Sequence, residues 1–90
     1  LSFKSFDEVI DRANNHDLGL SSYVCTSSIE KAHIASERLE TGTVGVNTAL
    51  IAIAEAPFGG IKQSGYGREG GSMAIKDYLN VKYTHLGIKG

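Results

Sequence analysis

The stretch Ala56-Pro-Phe-Gly-Gly-Ile-Lys-Gln-Ser-Gly-Tyr-Gly-Arg-Glu-Gly-Gly71 holds the chain's only proline and six of its eleven glycines. Glycine serves where the backbone takes positive φ, or where another group comes too close for a Cβ. Such a run reads as a loop whose path is set by backbone geometry, not as a flexible linker.

Most of this stretch belongs to one long connection, residues 48–68, of a kind that is usually functional or disordered in compact domains. Its first half, Ala49-Leu-Ile-Ala-Ile-Ala54, is apolar and argues for order. An apolar loop after a strand end is where α/β proteins build ligand walls; plain core burial is the competing reading.

Further out, the pattern is α/β. Ser5-Phe-Asp-Glu8 has the form of a capping box. Phe6, Val9, Ile10 and Ala13 follow at helical spacing, predicting a helix over about 6–15. Leu20–Thr26 reads as a strand. Ser27-Ser28-Ile29-Glu30 offers a second capping box for a helix over about 28–40, with Ile29, Ala32, Ser36 and Leu39 on one face and Gly42 beyond its end. Thr43–Asn47 is a second strand. Strand, helix, strand is a βαβ unit, so the two strands should run parallel with a right-handed crossover. A third helix is predicted over about 69–79, with Ala74, Ile75, Tyr78 and Leu79 inward. Residues 80–86 alternate as a terminal strand.

Composition bounds the function. The chain has 90 residues, 41% of them hydrophobic and 21% charged, which suits one small globular domain. Net charge is −1, so nothing favours nucleic acid or an anionic membrane. No apolar run approaches the ~20 residues that span a bilayer. A single cysteine cannot form an internal disulfide, and a reducing, cytoplasmic compartment is the simplest expectation. The chain begins at Leu1, directly before an element that reads as mid-domain, which fits a piece of a longer protein.

Few residues point to chemistry. Gly65-Tyr-Gly-Arg-Glu-Gly70 matches the dinucleotide pattern G-x-G-x-x-G, but the polar Lys62-Gln-Ser64 precedes it where a strand should. Gly60-Ile-Lys62 is not a P-loop, because Gln63 stands where Ser or Thr is needed. Cys25, inside the first predicted strand, is expected to be buried and structural. His16, His33 and His85 share no metal-ligand spacing. Glu69 is expected as a helix N-terminal carboxylate and Glu55 as a loop hydrogen-bonding group. No catalytic or metal residue is assigned.

The pattern Ala-Pro-Phe-Gly-Gly-Ile-Lys-Gln-Ser-Gly-Tyr-Gly-Arg-Glu-Gly resembles the C-terminal segment of the NAD(P)-dependent aldehyde dehydrogenases, most closely their succinate-semialdehyde branch. Phe6-Asp-Glu-Val-Ile, Leu18-Gly-Leu, Tyr23-Val, Gly42-Thr-Val-Gly-Val-Asn47 and Tyr78-Leu-Asn-Val-Lys-Tyr83 extend the resemblance over nearly the whole chain. It implies the end of a catalytic domain at residues 1–79 and an oligomerisation strand and tail at 80–90. It implies a homo-oligomer joined through residues 80–86. It implies a substrate-binding wall of Leu50, Ile51, Ala52, Ile53, Ala54 and Phe58 along the aldehyde tunnel. The parent enzyme would use NAD or NADP to oxidise an aldehyde, with succinate semialdehyde as one candidate. Its nucleophile, base and cofactor site would lie upstream, so these residues alone should bind no cofactor and be inactive.

One departure concerns substrate. The succinate-semialdehyde branch carries a serine in the loop where Ala52 and Ile53 stand here, and residues 48–55 contain no Arg or Lys. The alternative from another class is a freestanding α/β interaction module without activity; a third option is a small nucleotide-binding domain resting on residues 65–70.

Overall fold

Two serines start the two helices of the computed structural model, which describes residues 1–89. Ser5 Oγ accepts the Glu8 N–H at 3.1 Å and opens α1, Phe6–Asn14. The Glu8 carboxylate returns to the Lys4 N–H at 3.0 Å, one residue before the cap. Strand β1, Leu18–Gly19, and strand β2, Ser21–Val24, follow. Ser28, not Ser27, caps α2, Ile29–Arg38, through the Lys31 N–H. That places Glu30 one position too early to complete the expected box.

Strand β3, Thr43–Val46, pairs in parallel with β2, Ser21 against Thr43 through Val24 against Val46. Strand β4, Ile61–Lys62, pairs antiparallel with β1, Gly19 opposite Ile61. This second pair was invisible in the sequence, since two-residue strands carry no periodicity. Gly19 lies between the two pairings, its carbonyl accepting the Gly42 N–H at 3.0 Å.

Helices α1 and α2 are tied at their ends. Arg38 reaches Asp7 at 2.6 Å and Asp11 at 3.8 Å. The Asn14 amide donates to Arg38 O and accepts the Glu40 N–H, both at 2.8 Å. It thereby satisfies one carbonyl that α2 leaves open at its C-terminus and the first N–H beyond the cap residue Leu39.

The core between them is minimal. Ile10 and Ala35 are the buried apolar residues among those described. Ala35, not Ile29, centres the inward face of α2; Ile29 and Ser36 point outward. Ala13 is likewise exposed.

The C-terminal third departs from expectation. Residues 69–79 give a 3₁₀ turn at Ala74–Tyr78, not a full helix. Two consecutive left-handed glycines, Gly70 and Gly71, precede it and exclude an earlier helical start. Ala74 is half-buried, but Ile75, Tyr78 and Leu79 are exposed. Residues 80–86 form no strand, and Val81 is fully exposed. A strand needs a neighbour to take its N–H and C=O groups, and none lies beside it among the described residues. The radius of gyration is 18.7 Å, against about 12 Å for a compact chain of this length.

Candidate functional site

The glycine-rich bend is a closed structure. Phe58 and Glu69 exchange two backbone hydrogen bonds of 2.7 Å, forming an antiparallel bridge across it. Glu69 is therefore a bridge residue, not the helix N-terminal carboxylate expected. Arg68 lies inside the bend. Its Nη1 donates to the carbonyls of Gly60 and Gly67, both at 2.8 Å. Its own N–H donates to Asp77 Oδ2 at 2.9 Å.

Glycine is required where the bend meets β3. A Cβ on Gly42 would collide with the Gly59 carbonyl oxygen and lie 2.7 Å from its carbon. The bend therefore seats directly on the start of that strand.

Lys62 holds the far side. Its Nζ donates to Asn14 O, at the C-terminal end of α1, at 3.0 Å and to His16 O just past it at 3.2 Å, and pairs with Glu40 at 2.7 Å. A cation there complements the negative end of the helix. Gly19 N–H donates to Ser64 Oγ at 2.8 Å.

The G-x-G-x-x-G reading fails on geometry. No helix starts at Gly65, and the open side of Gly67 already faces the Asp77 carboxylate, 2.7 Å from where a Cβ would stand. The Arg68 N–H that could meet a phosphate is spent on that same carboxylate.

The apolar loop is anchored at both ends and open between them. Asn47 holds its start with a side-chain amide on the Thr26 backbone. At its end, the Gly71 N–H donates to Ala54 O at 2.8 Å. Between these points Leu50, Ala52, Ile53 and Ala54 are exposed and Ile51 is half-buried. None of the five lines either of two clefts, one under the glycine-rich bend and one beside α1. Phe58 does: with Leu20, Tyr66, Arg68 and Tyr78 it borders a cleft of about 590 Å³. A second, more apolar groove of about 720 Å³ runs between α1 and β2, past Phe3, Phe6 and Val9. Phe58 and residues 50–54, which the sequence reading groups in one wall, share neither of these two linings.

Cys25 is exposed, not buried, because β2 ends at Val24 and Asn47 takes the backbone of Thr26. His16 Nδ1 accepts the Leu18 N–H at 3.1 Å, a local structural role. Glu55 stands exposed in a turn. Among the described residues, no group of three His, Cys, Asp or Glu could hold a metal, and no helix is long and apolar enough to cross a membrane. Sequence reasoning missed Asn14, Asn47, Lys62 and Arg68. Asparagine at the end of a helix or strand was the signal available for the first two.

The profile of the aldehyde dehydrogenase family matches residues 1–84. The chain belongs to the aldehyde dehydrogenase family. A 3-sulfolactaldehyde dehydrogenase of Pseudomonas putida is 54% identical over 85 residues, 94% of this chain and 18% of that protein. The NADP(+) succinate-semialdehyde dehydrogenase of Escherichia coli is 44% identical over 86 residues, 96% of this chain and 18% of that protein. Among solved structures, an aldehyde dehydrogenase from Bacillus cereus in complex with NAD+ superposes with a TM-score of 0.92 at 47% identity, over 99% of this chain and 18% of that one. The chain spans under a fifth of the length of each of these relatives.

Proposed function

We propose that this chain is the C-terminal segment of an NAD(P)-dependent aldehyde dehydrogenase, supplying one wall of the aldehyde pocket and one strand of the subunit assembly. The observation that carries the reading is the family match along residues 1–84, together with the apolar surface the segment leaves open. Leu50, Ile53, Tyr66, Tyr78, Val81 and Tyr83 are all exposed. Large apolar side chains left this open are ones that other parts of a larger enzyme would cover. A freestanding module is disfavoured for the same reason, since Ile10 and Ala35 make too small a core for independent stability.

In this reading Leu50, Ile51, Ala52, Ile53, Ala54 and Phe58 close the pocket only against other parts of the enzyme. The nicotinamide cofactor is held outside this chain, because Asp77 fills the one glycine pattern that could cradle a phosphate. When bound, the cofactor accepts the hydride released as aldehyde becomes acid. The part of these residues is to exclude water and orient the aldehyde chain. Ala52 and Ile53 offer no hydroxyl, so any clamp on a distal acid group comes from elsewhere in the enzyme.

The test is a graft. The 86 matching residues of the Escherichia coli enzyme are replaced by those of this chain. The graft is expected to oxidise succinate semialdehyde with reduction of NADP, and residues 1–90 alone to reduce neither NAD nor NADP. A folded but inactive graft, or robust turnover by the isolated chain, would overturn the proposal.

A further inference from the structure

Asn47 is one of two non-glycine residues with positive φ among those described, at 55°. It is also the last residue before the apolar loop. Its backbone N–H still follows the β2–β3 ladder, donating to Val24 O at 2.7 Å. Its side chain then replaces the next backbone pair. Oδ1 accepts the Thr26 N–H and Nδ2 donates to Thr26 O, both at 2.9 Å. An amide side chain has the one donor and one acceptor needed to mimic a peptide edge. Left-handed φ is uncommon for a side-chain-bearing residue, though asparagine tolerates it best.

The consequence is directional. Ladder bonding continues through Asn47, while the backbone turns out of the sheet at the same residue. Thr48 and the loop therefore leave at a fixed angle. The anchor is itself fixed, because Thr26 Oγ1 accepts the N–H of Ser28, the cap of α2, at 3.1 Å. Just before the turn, Gly45 keeps the space that Thr48 O and Ile51 occupy; a Cβ there would stand 2.6 Å from the first and 2.9 Å from Ile51 Cγ2.

We propose that Asn47 is a positioning residue for the aldehyde wall: its amide clamp on Thr26 sets where residues 50–54 stand, and so tunes aldehyde affinity without touching substrate or cofactor. The proposal rests on the pocket-wall reading above. It places the determinant of loop position on a residue that faces away from the loop.

The test uses the graft and Asn47→Gly, which removes both amide bonds but adopts positive φ freely and so keeps the turn. The KM for aldehyde is expected to rise about tenfold, the scale of two neutral hydrogen bonds partly lost. The KM for NADP and kcat should stay unchanged, and amide exchange at Thr26 should accelerate. A merely structural role would lower the yield of active enzyme and leave the aldehyde KM alone. An unchanged aldehyde KM, an equal rise in both KM values, or unchanged Thr26 exchange would overturn the clamp. An inactive parent graft would defeat the pocket reading instead, and Thr26 exchange would still judge the clamp.

Discussion

The Lys62 ammonium reaches back 48 positions to the carbonyl oxygen of Asn14, at 3.0 Å, and so joins the glycine-rich bend to the end of the first helix. The same group meets His16 O and the Glu40 carboxylate. Only about a quarter of the Lys62 side chain is exposed, whereas Glu40 is more than half exposed. Carbonyl capping should therefore outweigh the ion pair.

Lys62→Met tests that ranking in the graft. Hydrogen bonds to a charged donor contribute roughly 1.5–3 kcal/mol, and an exposed ion pair about 0–1 kcal/mol. Lys62→Met should lower stability in denaturant unfolding by the larger amount and Glu40→Gln by the smaller. Equal losses would assign the effect to the ion pair.

Two glycines in this region should differ for separate reasons. Gly42→Ala drives a Cβ into the Gly59 carbonyl, backbone against backbone with no flexible side chain to give way. The loss should reach or exceed the ~1–3 kcal/mol typical of overpacking. Gly65 has φ of 102° but open space around it, so Gly65→Ala should cost only the conformational penalty of about 1–2 kcal/mol. Thermal melting of the two variants decides, and a milder Gly42→Ala would contradict the contact.

Much of the N-terminal half was legible in the sequence. Serine caps and apolar spacing located α1 and α2 within two residues, and the β-rich runs located β2 and β3. Local rules suffice where an element makes its own hydrogen bonds or is long enough to show a period. They failed where the deciding contact was distant. The positive φ of Lys62 and Asn47, the closure of Gly67 by Asp77, and the pairing of β1 with β4 depend on chain far away. The terminal strand failed for the opposite reason: residues 80–86 have strand periodicity, but no neighbour to pair with among residues 1–89. Residues 50–54 were legible as an apolar loop, and the structure leaves all of them but Ile51 exposed; a pocket beside them is part of the proposal.

Substrate preference should respond to residue 53. Ile53→Ser restores a hydroxyl to the loop. In the graft, kcat/KM for succinate semialdehyde relative to an aliphatic aldehyde of equal length should rise about tenfold, the worth of one hydrogen bond to a charged acceptor. An unchanged ratio would place residue 53 away from the distal group.

The apolar tail should drive assembly. Val81, Tyr83, Leu86 and Ile88 are exposed, and the backbone of 80–86 has no sheet partner among the described residues, so a neighbouring subunit can supply one. Deleting residues 80–90 from the graft should lower the mass seen by light scattering. An unchanged mass would mean that the tail pairs within its own subunit.

The central claim is that these residues complete an aldehyde-oxidising site held mostly by other parts of a larger enzyme. Aldehyde-dependent formation of reduced nicotinamide measures it directly. The account predicts turnover by the graft that vanishes when residues 1–90 are assayed alone; a correctly folded graft that binds cofactor but oxidises no aldehyde would contradict it.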